Sequence, residues 1–295
     1  MRTKLIPARD LLFFALVAAP VLVCWREILT VLLLAWHVDE YTHILLIVPV
    51  SVALIYLERG KLRRNAGYAP IAGMLVGSLS IAIMVGLKTH MLGSGEGSLT
   101  IAIFSLVLFW MAAIVGCFGM DVFRALMFPF LFLFLLVPPP MFVLDKAILF
   151  LQSASTVATY DVFKLTGLPV LKSGFILTFP TLQIEVAKEC SGIRSSIMLL
   201  LTGLILAHLF LRSFWSKVVF VLLILPLSVI KNAIRIFTLS MLGMYVDPGF
   251  LRGRLHHEGG IVFFLIALAG LLFFLWILQR AGGTRAQPDS SVTPA

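Results

Sequence analysis

The chain has 295 residues, of which 60% are hydrophobic and only 13% charged, with a formal net charge of +9. Soluble domains average roughly 45–50% apolar and about 25% charged residues, so this composition excludes a soluble globular protein and points to a polytopic membrane protein. The basic excess is spread along short loops rather than gathered in a soluble domain, which argues against a nucleic-acid partner and for cytoplasmic loops lying against anionic membrane lipids.

In chain order, apolar runs at roughly 10–25, 43–58, 70–88, 99–117, 122–138, 190–210, 217–243 and 260–279 give about eight candidate spans. The run Ile28 to Trp36 prolongs the first span or lies at the interface. The N-terminal run lacks a small-residue cleavage site and is followed by further spans, so it is read as an uncleaved first span. Arg2, Lys4 and Arg9 precede it, and Arg59, Lys61, Arg63 and Arg64 follow the second. Arg212 and Lys217 separate the sixth and seventh spans, and Arg280 and Arg285 follow the eighth. With eight spans these basic loops fall on one side, which the positive-inside rule makes cytoplasmic.

Pro138-Pro139-Pro140 ends the fifth span, because proline cannot continue a helix. Asp145 to Leu165 has mixed polarity at helical spacing and is expected to lie on the interface or dip into it. Gly174–Phe179 and Thr181–Val186 are β-branched and partly alternating, and read as two strands joined at Pro180. The expected fold is an all-α polytopic membrane protein with a small extracytoplasmic β-hairpin-like insertion before the sixth span. Residues 1–280 are expected to form one domain. Residues 281–295, rich in Gly, Ser, Pro and Thr, are expected to be a disordered cytoplasmic tail.

Of the three cysteines, Cys24 and Cys117 lie in or beside apolar runs, where cysteine acts as a small hydrophobe. Cys190 differs, because Glu189-Cys190-Ser191-Gly192-Ile193-Arg194-Ser195-Ser196 places it among polar groups at the head of an apolar run. Arg194, at i+4, can face its sulfur, and the amides of a helix start add positive charge. Both favour the nucleophilic thiolate, while Glu189 opposes them or pairs with a neighbouring cation. Gly192 permits close approach of another helix or a substrate backbone. Asn232 and Arg235 are three residues apart and share a helix face. The bland reading of Arg235 is a side chain reaching for the headgroups. The sharper one is a fixed cation aimed, with Asn232, at a developing oxyanion. His256 and His257 precede the eighth span, either as loop polar residues or as a partner for the thiol. Those two histidines and Glu258 are also conceivable metal ligands, but there is no His-Glu-x-x-His pattern, and neither metal nor cofactor is expected. The assumed topology places Cys190, Arg235 and His256 toward the outer leaflet.

These blocks, in order, resemble the exosortase/archaeosortase family of membrane cysteine transpeptidases. The resemblance runs from about Tyr41 to Leu275. It rests on Glu189–Ser195, on Asn232-Ala233-Ile234-Arg235-Ile236 and on His256-His257-Glu258-Gly259-Gly260. Tyr41-Thr42-His43 ahead of Pro49, the Pro138–Pro140 run and the strands before Cys190 add support. The resemblance implies a catalytic Cys190, Arg235 and His256, with His257 as the alternative histidine. It implies substrates that are secreted proteins carrying a C-terminal sorting signal: a Pro-Glu-Pro-like motif, a transmembrane helix and a basic end. The enzyme would sit in the cytoplasmic (inner) membrane with its site on the periplasmic face. It would cleave near the motif and pass the new end to an acceptor the sequence does not identify. Arg194 would tune the thiol or dock the motif's acidic residue. Two rivals remain. A transporter would use Glu189, Arg235 and His256 along an ion path, although transport sites favour the midplane. A non-catalytic factor for exopolysaccharide export or assembly would tolerate loss of Cys190.

Overall fold

A computed structural model describes residues 8–64, 67, 69–89, 97–180, 182–247, 249 and 260–282; the side chains of residues 62–64, Glu189 and Cys190 are outside that description. The described residues hold seven helices long and apolar enough to cross a membrane, or eight if one bent pair counts as a single span. The protein is thus a multi-pass membrane protein. Its contacts group into two compact units, Met1–Leu144 and Asp145–Ala295.

The first unit begins with α1 (Ala8–Val23) and α2 (Trp25–His37), which meet at Cys24 with a bend of 75°. That bend explains why residues 28–36 read as a separate apolar run. A 3-10 turn at Asp39–Tyr41 leads into α3 (Ile44–Leu57), followed by α4 (Arg59–Arg64), α5 (Pro70–Lys88) and α6 (Ser98–Ala125). The expected span at 122–138 is not one continuous helix. Gly119 leaves helical geometry at φ 85, α7 covers only Met127–Phe132, and Leu133–Leu136 is 3-10. The path nevertheless retraces α6. Thr100 Oγ1 donates to Pro138 O at 2.9 Å, so Pro138 returns beside the start of α6.

Tyr41 and His43 belong to this returning end. Tyr41 is buried, and its hydroxyl donates to Pro139 O at 3.4 Å. His43 Nδ1 lies 3.0 Å from Glu40 O. A carbonyl only accepts, so the proton sits on Nδ1. Two short motifs far apart in sequence, Tyr41–His43 and Pro138–Pro140, therefore meet in space.

Helices in lipid associate through close packing and not through the hydrophobic effect, which makes small residues at their contacts decisive. Helices α5 and α6 cross where Gly73 faces Gly116. A Cβ built on Gly73 would lie 2.6 Å from Gly116 Cα and 2.9 Å from Ala112 O. Overpacking of this kind costs about 1–3 kcal/mol. Gly73→Val is expected to lower the thermal denaturation midpoint in detergent by roughly 5 °C, on the usual scaling of stability to melting temperature. Gly97→Ala, where nothing lies within 4 Å of the added carbon, should leave it unchanged. Equal midpoints for both variants would mean the Gly73 contact does not limit stability.

The second unit runs from α8 (Met141–Leu165), whose first residues belong to the other unit, through a three-stranded antiparallel sheet. The strands are β1 (Leu171–Ser173), β2 (Ile176–Thr178) and β3 (Gln183–Glu185), in that order. The two expected strands are present as β2 and β3, and β1 is an addition. It pairs Ser173 with Ile176 across a turn in which Gly174 takes φ 60. The expected helix at 145–165 is also present, and α8 is long enough to cross as well as to lie at an interface. A 3-10 turn at Lys188–Ser191 follows the sheet, then α9 (Ile193–Phe210), α10 (Phe214–Tyr245) and α11 (Gly260–Gly282). Helices α9, α10 and α11 share a core of Leu199, Phe220, Ile224 and Leu271. Of the expected tail at 281–295, residues 281 and 282 end α11 and 283–295 lie outside the described residues.

Candidate active site

The turn that carries Cys190 is held at both ends. On its N-terminal side, Val186 is buried; its carbonyl accepts from Gln152 Nε2 at 2.6 Å, and its N–H donates to Phe175 O at 2.9 Å. The sheet is itself fixed by aromatic packing. Phe163 of α8 meets Phe179 edge-on at 4.6 Å and Phe237 of α10 at 4.8 Å between ring centroids. Val170, Leu177, Met241 and Met244 complete that cluster. The chain thus reaches Lys188 with little freedom, tied to α8 and to the C-terminal third of α10.

On the C-terminal side the hinge is Gly192, in the left-handed conformation at φ 71 and ψ 20. That backbone favours glycine. A second reason for glycine is room. A Cβ at Gly192 would lie 2.9 Å from Asn232 Oδ1 and 3.5 Å from Lys231 Nζ. The glycine seen in the sequence as permitting close approach does so toward α10. Three donors converge on its carbonyl: Ser195 Oγ at 3.0 Å, Ser196 Oγ at 2.9 Å and Ser196 N at 2.9 Å. They hold the first turn of α9.

The expected site residues distribute as follows. The Cys190 backbone lies in the 3-10 turn at Lys188–Ser191, next to buried Ser191. Asn232 is 1% exposed, against the Gly192 turn. Arg235 is partly buried and one helical turn further along α10. Arg194 is exposed. The structure therefore brings the Cys190 turn to the polar stretch of α10. His256, His257 and Glu258 lie outside the described residues, as do the side chains of Cys190 and Glu189. Among the described residues no three His, Cys, Asp or Glu side chains gather as a metal site would need.

Sequence reasoning gave Lys231 no role. It is 4% exposed, on α10 beside Asn232, and its ammonium donates to Ser195 Oγ. The available signal was its charge inside a long apolar run, which is costly in a membrane and usually functional. Ser191 is the other omission. Its hydroxyl is buried and has no hydrogen-bond partner among the described residues.

A family model for transmembrane exosortases of the EpsH type matches residues 36–273. The chain belongs to that family. Exosortases are membrane peptidases that process PEP-CTERM sorting signals, so secreted proteins bearing such signals are the substrates that membership suggests. No curated protein and no solved structure matched the chain. The matched segment contains the Tyr41–His43 block, the sheet, the Cys190 turn and the polar stretch of α10.

Cys24 and Cys117 are free thiols, 1% and 4% exposed. A maleimide added to the native protein in detergent is therefore expected to leave Cys24 and Cys117 unmodified until the protein is denatured, read by mass spectrometry of the two cysteine peptides. Modification of either thiol before denaturation would show that its surroundings open in the native protein.

Proposed function

We propose that this exosortase is a cysteine protease or transpeptidase that cuts C-terminal sorting signals at the outer face of the cytoplasmic membrane. Cys190 attacks the scissile carbonyl near the Pro-Glu-Pro-like motif, forming a C–S bond and a tetrahedral oxyanion. Arg235, with Asn232, stabilises that oxyanion by directed donors and fixed charge. His256, with His257 as the alternative, takes the thiol proton and returns it to the leaving amine as the C–N bond breaks. The resulting thioester is resolved by an acceptor nucleophile or by water. Glu189 and Arg194 set the charge around the thiol, and Arg194, which is exposed, also docks the motif's acidic residue. The substrate's transmembrane helix docks against the enzyme's helices within the bilayer. Residues 1–280 act as one functional domain with the tail 281–295 outside it, and the Arg59–Arg64 loop faces the cytoplasm.

The observation that carries this reading is the contact between the two motifs. The turn bearing Cys190 packs on Asn232, with a Cβ-equivalent position on Gly192 only 2.9 Å from its amide oxygen. Arg235 lies on the same helix, one turn away. The reading does not need a metal.

The test is a secreted reporter ending in a PEP-CTERM-type tail, expressed with the enzyme and compared with one whose motif is scrambled. Mass spectrometry of the product is expected to place a new carboxyl end, free or joined to an acceptor, beside the intact motif only. Equal processing of both reporters, or none of either in the presence of folded enzyme, would sink the proposal.

A further inference from the structure

Lys231 offers something the proposed chemistry does not use. It is nine-tenths buried in a transmembrane helix, where an ionised amine is expensive. A methionine would fill the same space without that cost. The ammonium instead donates to Ser195 Oγ, and Ser195 Oγ donates to Gly192 O at 3.0 Å. The chain of bonds thus starts on α10, one turn before Arg235, and ends on the carbonyl two residues after Cys190. Linked hydrogen bonds of this kind polarise one another and are stronger in a low-dielectric site.

We infer that Lys231 is a positioning residue: through Ser195 it fixes the turn that bears Cys190 against the face of α10 that bears Arg235. The inference rests on the proposed cysteine chemistry, in which nucleophile and oxyanion cation stand on different elements. The sheet ties the N-terminal side of the turn to α8 and α10, and Lys231 adds a polar tether to α10 at its C-terminal side. A misplacement of about 1 Å can cost a hundredfold in rate. Lys231 touches neither substrate nor reacting atoms in this role.

The experiment measures steady-state processing by the full-length protein in lipid vesicles for Lys231→Met, Lys231→Arg, Ser195→Ala and the Lys231→Met/Ser195→Ala double variant. Lys231→Met and Ser195→Ala are each expected to lower kcat by about 10–100-fold and leave KM unchanged. The double variant should be no slower than the slower single, because both remove one connection. Lys231→Arg, which can still donate to Ser195, should restore most of the rate. A wild-type kcat in Lys231→Met, or losses that multiply in the double variant, would overturn the inference. So would a loss explained wholly by less folded protein. Should Lys231→Met not accumulate, Ser195→Ala decides by the same kcat and KM criteria. Cys190→Ala, run in parallel, separates the two ideas. Inactive Cys190→Ala beside unaffected Lys231→Met rejects only the positioning role. Active Cys190→Ala beside dead Ser195→Ala would reject both and make Ser195 and Lys231 a serine–lysine dyad.

Discussion

Cys190→Ala is expected to lower sorting-signal processing by about four orders of magnitude or more, the scale on which loss of a covalent nucleophile acts. Cys190→Ser should recover almost none of it. A serine hydroxyl has a far higher pKa than a thiol, and the charges that favour a thiolate cannot ionise it. The comparison is informative because serine fits where cysteine fits. The turn is fixed from outside by Val186 and by the donors on Gly192 O, neither of which involves the Cys190 side chain. Both variants should therefore accumulate and melt like the wild type. The measurement is the fraction of a PEP-CTERM-tailed reporter processed in membranes, normalised to enzyme level. Processing that persists in Cys190→Ala at normal protein level would end the cysteine mechanism and restore the transporter and assembly-factor readings.

How much of this site was readable beforehand depends on what each residue does locally. Gly192 was legible as a close-approach position because glycine has no side chain to hold a neighbour off, and the structure gives it both a left-handed φ of 71 and a neighbour that excludes a side chain. Strands β2 and β3 were legible from their β-branched alternation. Strand β1 was not, because all three of its residues are exposed and carry no apolar pattern. The return from Gly119 to Leu136 looked like one span because hydropathy does not report a broken backbone; only Gly119 and Pro129 hint at it. Lys231 was hidden for a different reason. Its meaning lies in a bond to Ser195, 36 residues earlier, and a hydrogen bond between helices leaves no periodic trace. The meeting of Tyr41 with Pro139, 98 residues apart, was unreadable on the same ground.

Arg235 should be nearly as sensitive as Cys190, and it separates electrostatic from steric accounts of the site. Arg235→Ala is expected to reduce kcat by roughly 100–1000-fold with little change in KM, the cost of one oxyanion donor. Arg235→Lys should stay well below wild type. Lysine keeps the charge but presents it as a rotatable point and loses the planar fork that can give two parallel donors. A surface arginine reaching for headgroups would behave oppositely, with lysine fully active and alanine little affected. Position favours the first account. Arg235 is partly buried, and it stands one turn from Asn232 and Lys231, which are 1% and 4% exposed and lie against the Cys190 turn. Helical spacing keeps residues three and four apart on one face, so the arginine shares theirs. Steady-state processing of the reporter by the two variants, at substrate concentrations that span KM, makes the measurement. Equal rates for lysine and arginine would remove the directed-donor role and leave only a general requirement for positive charge.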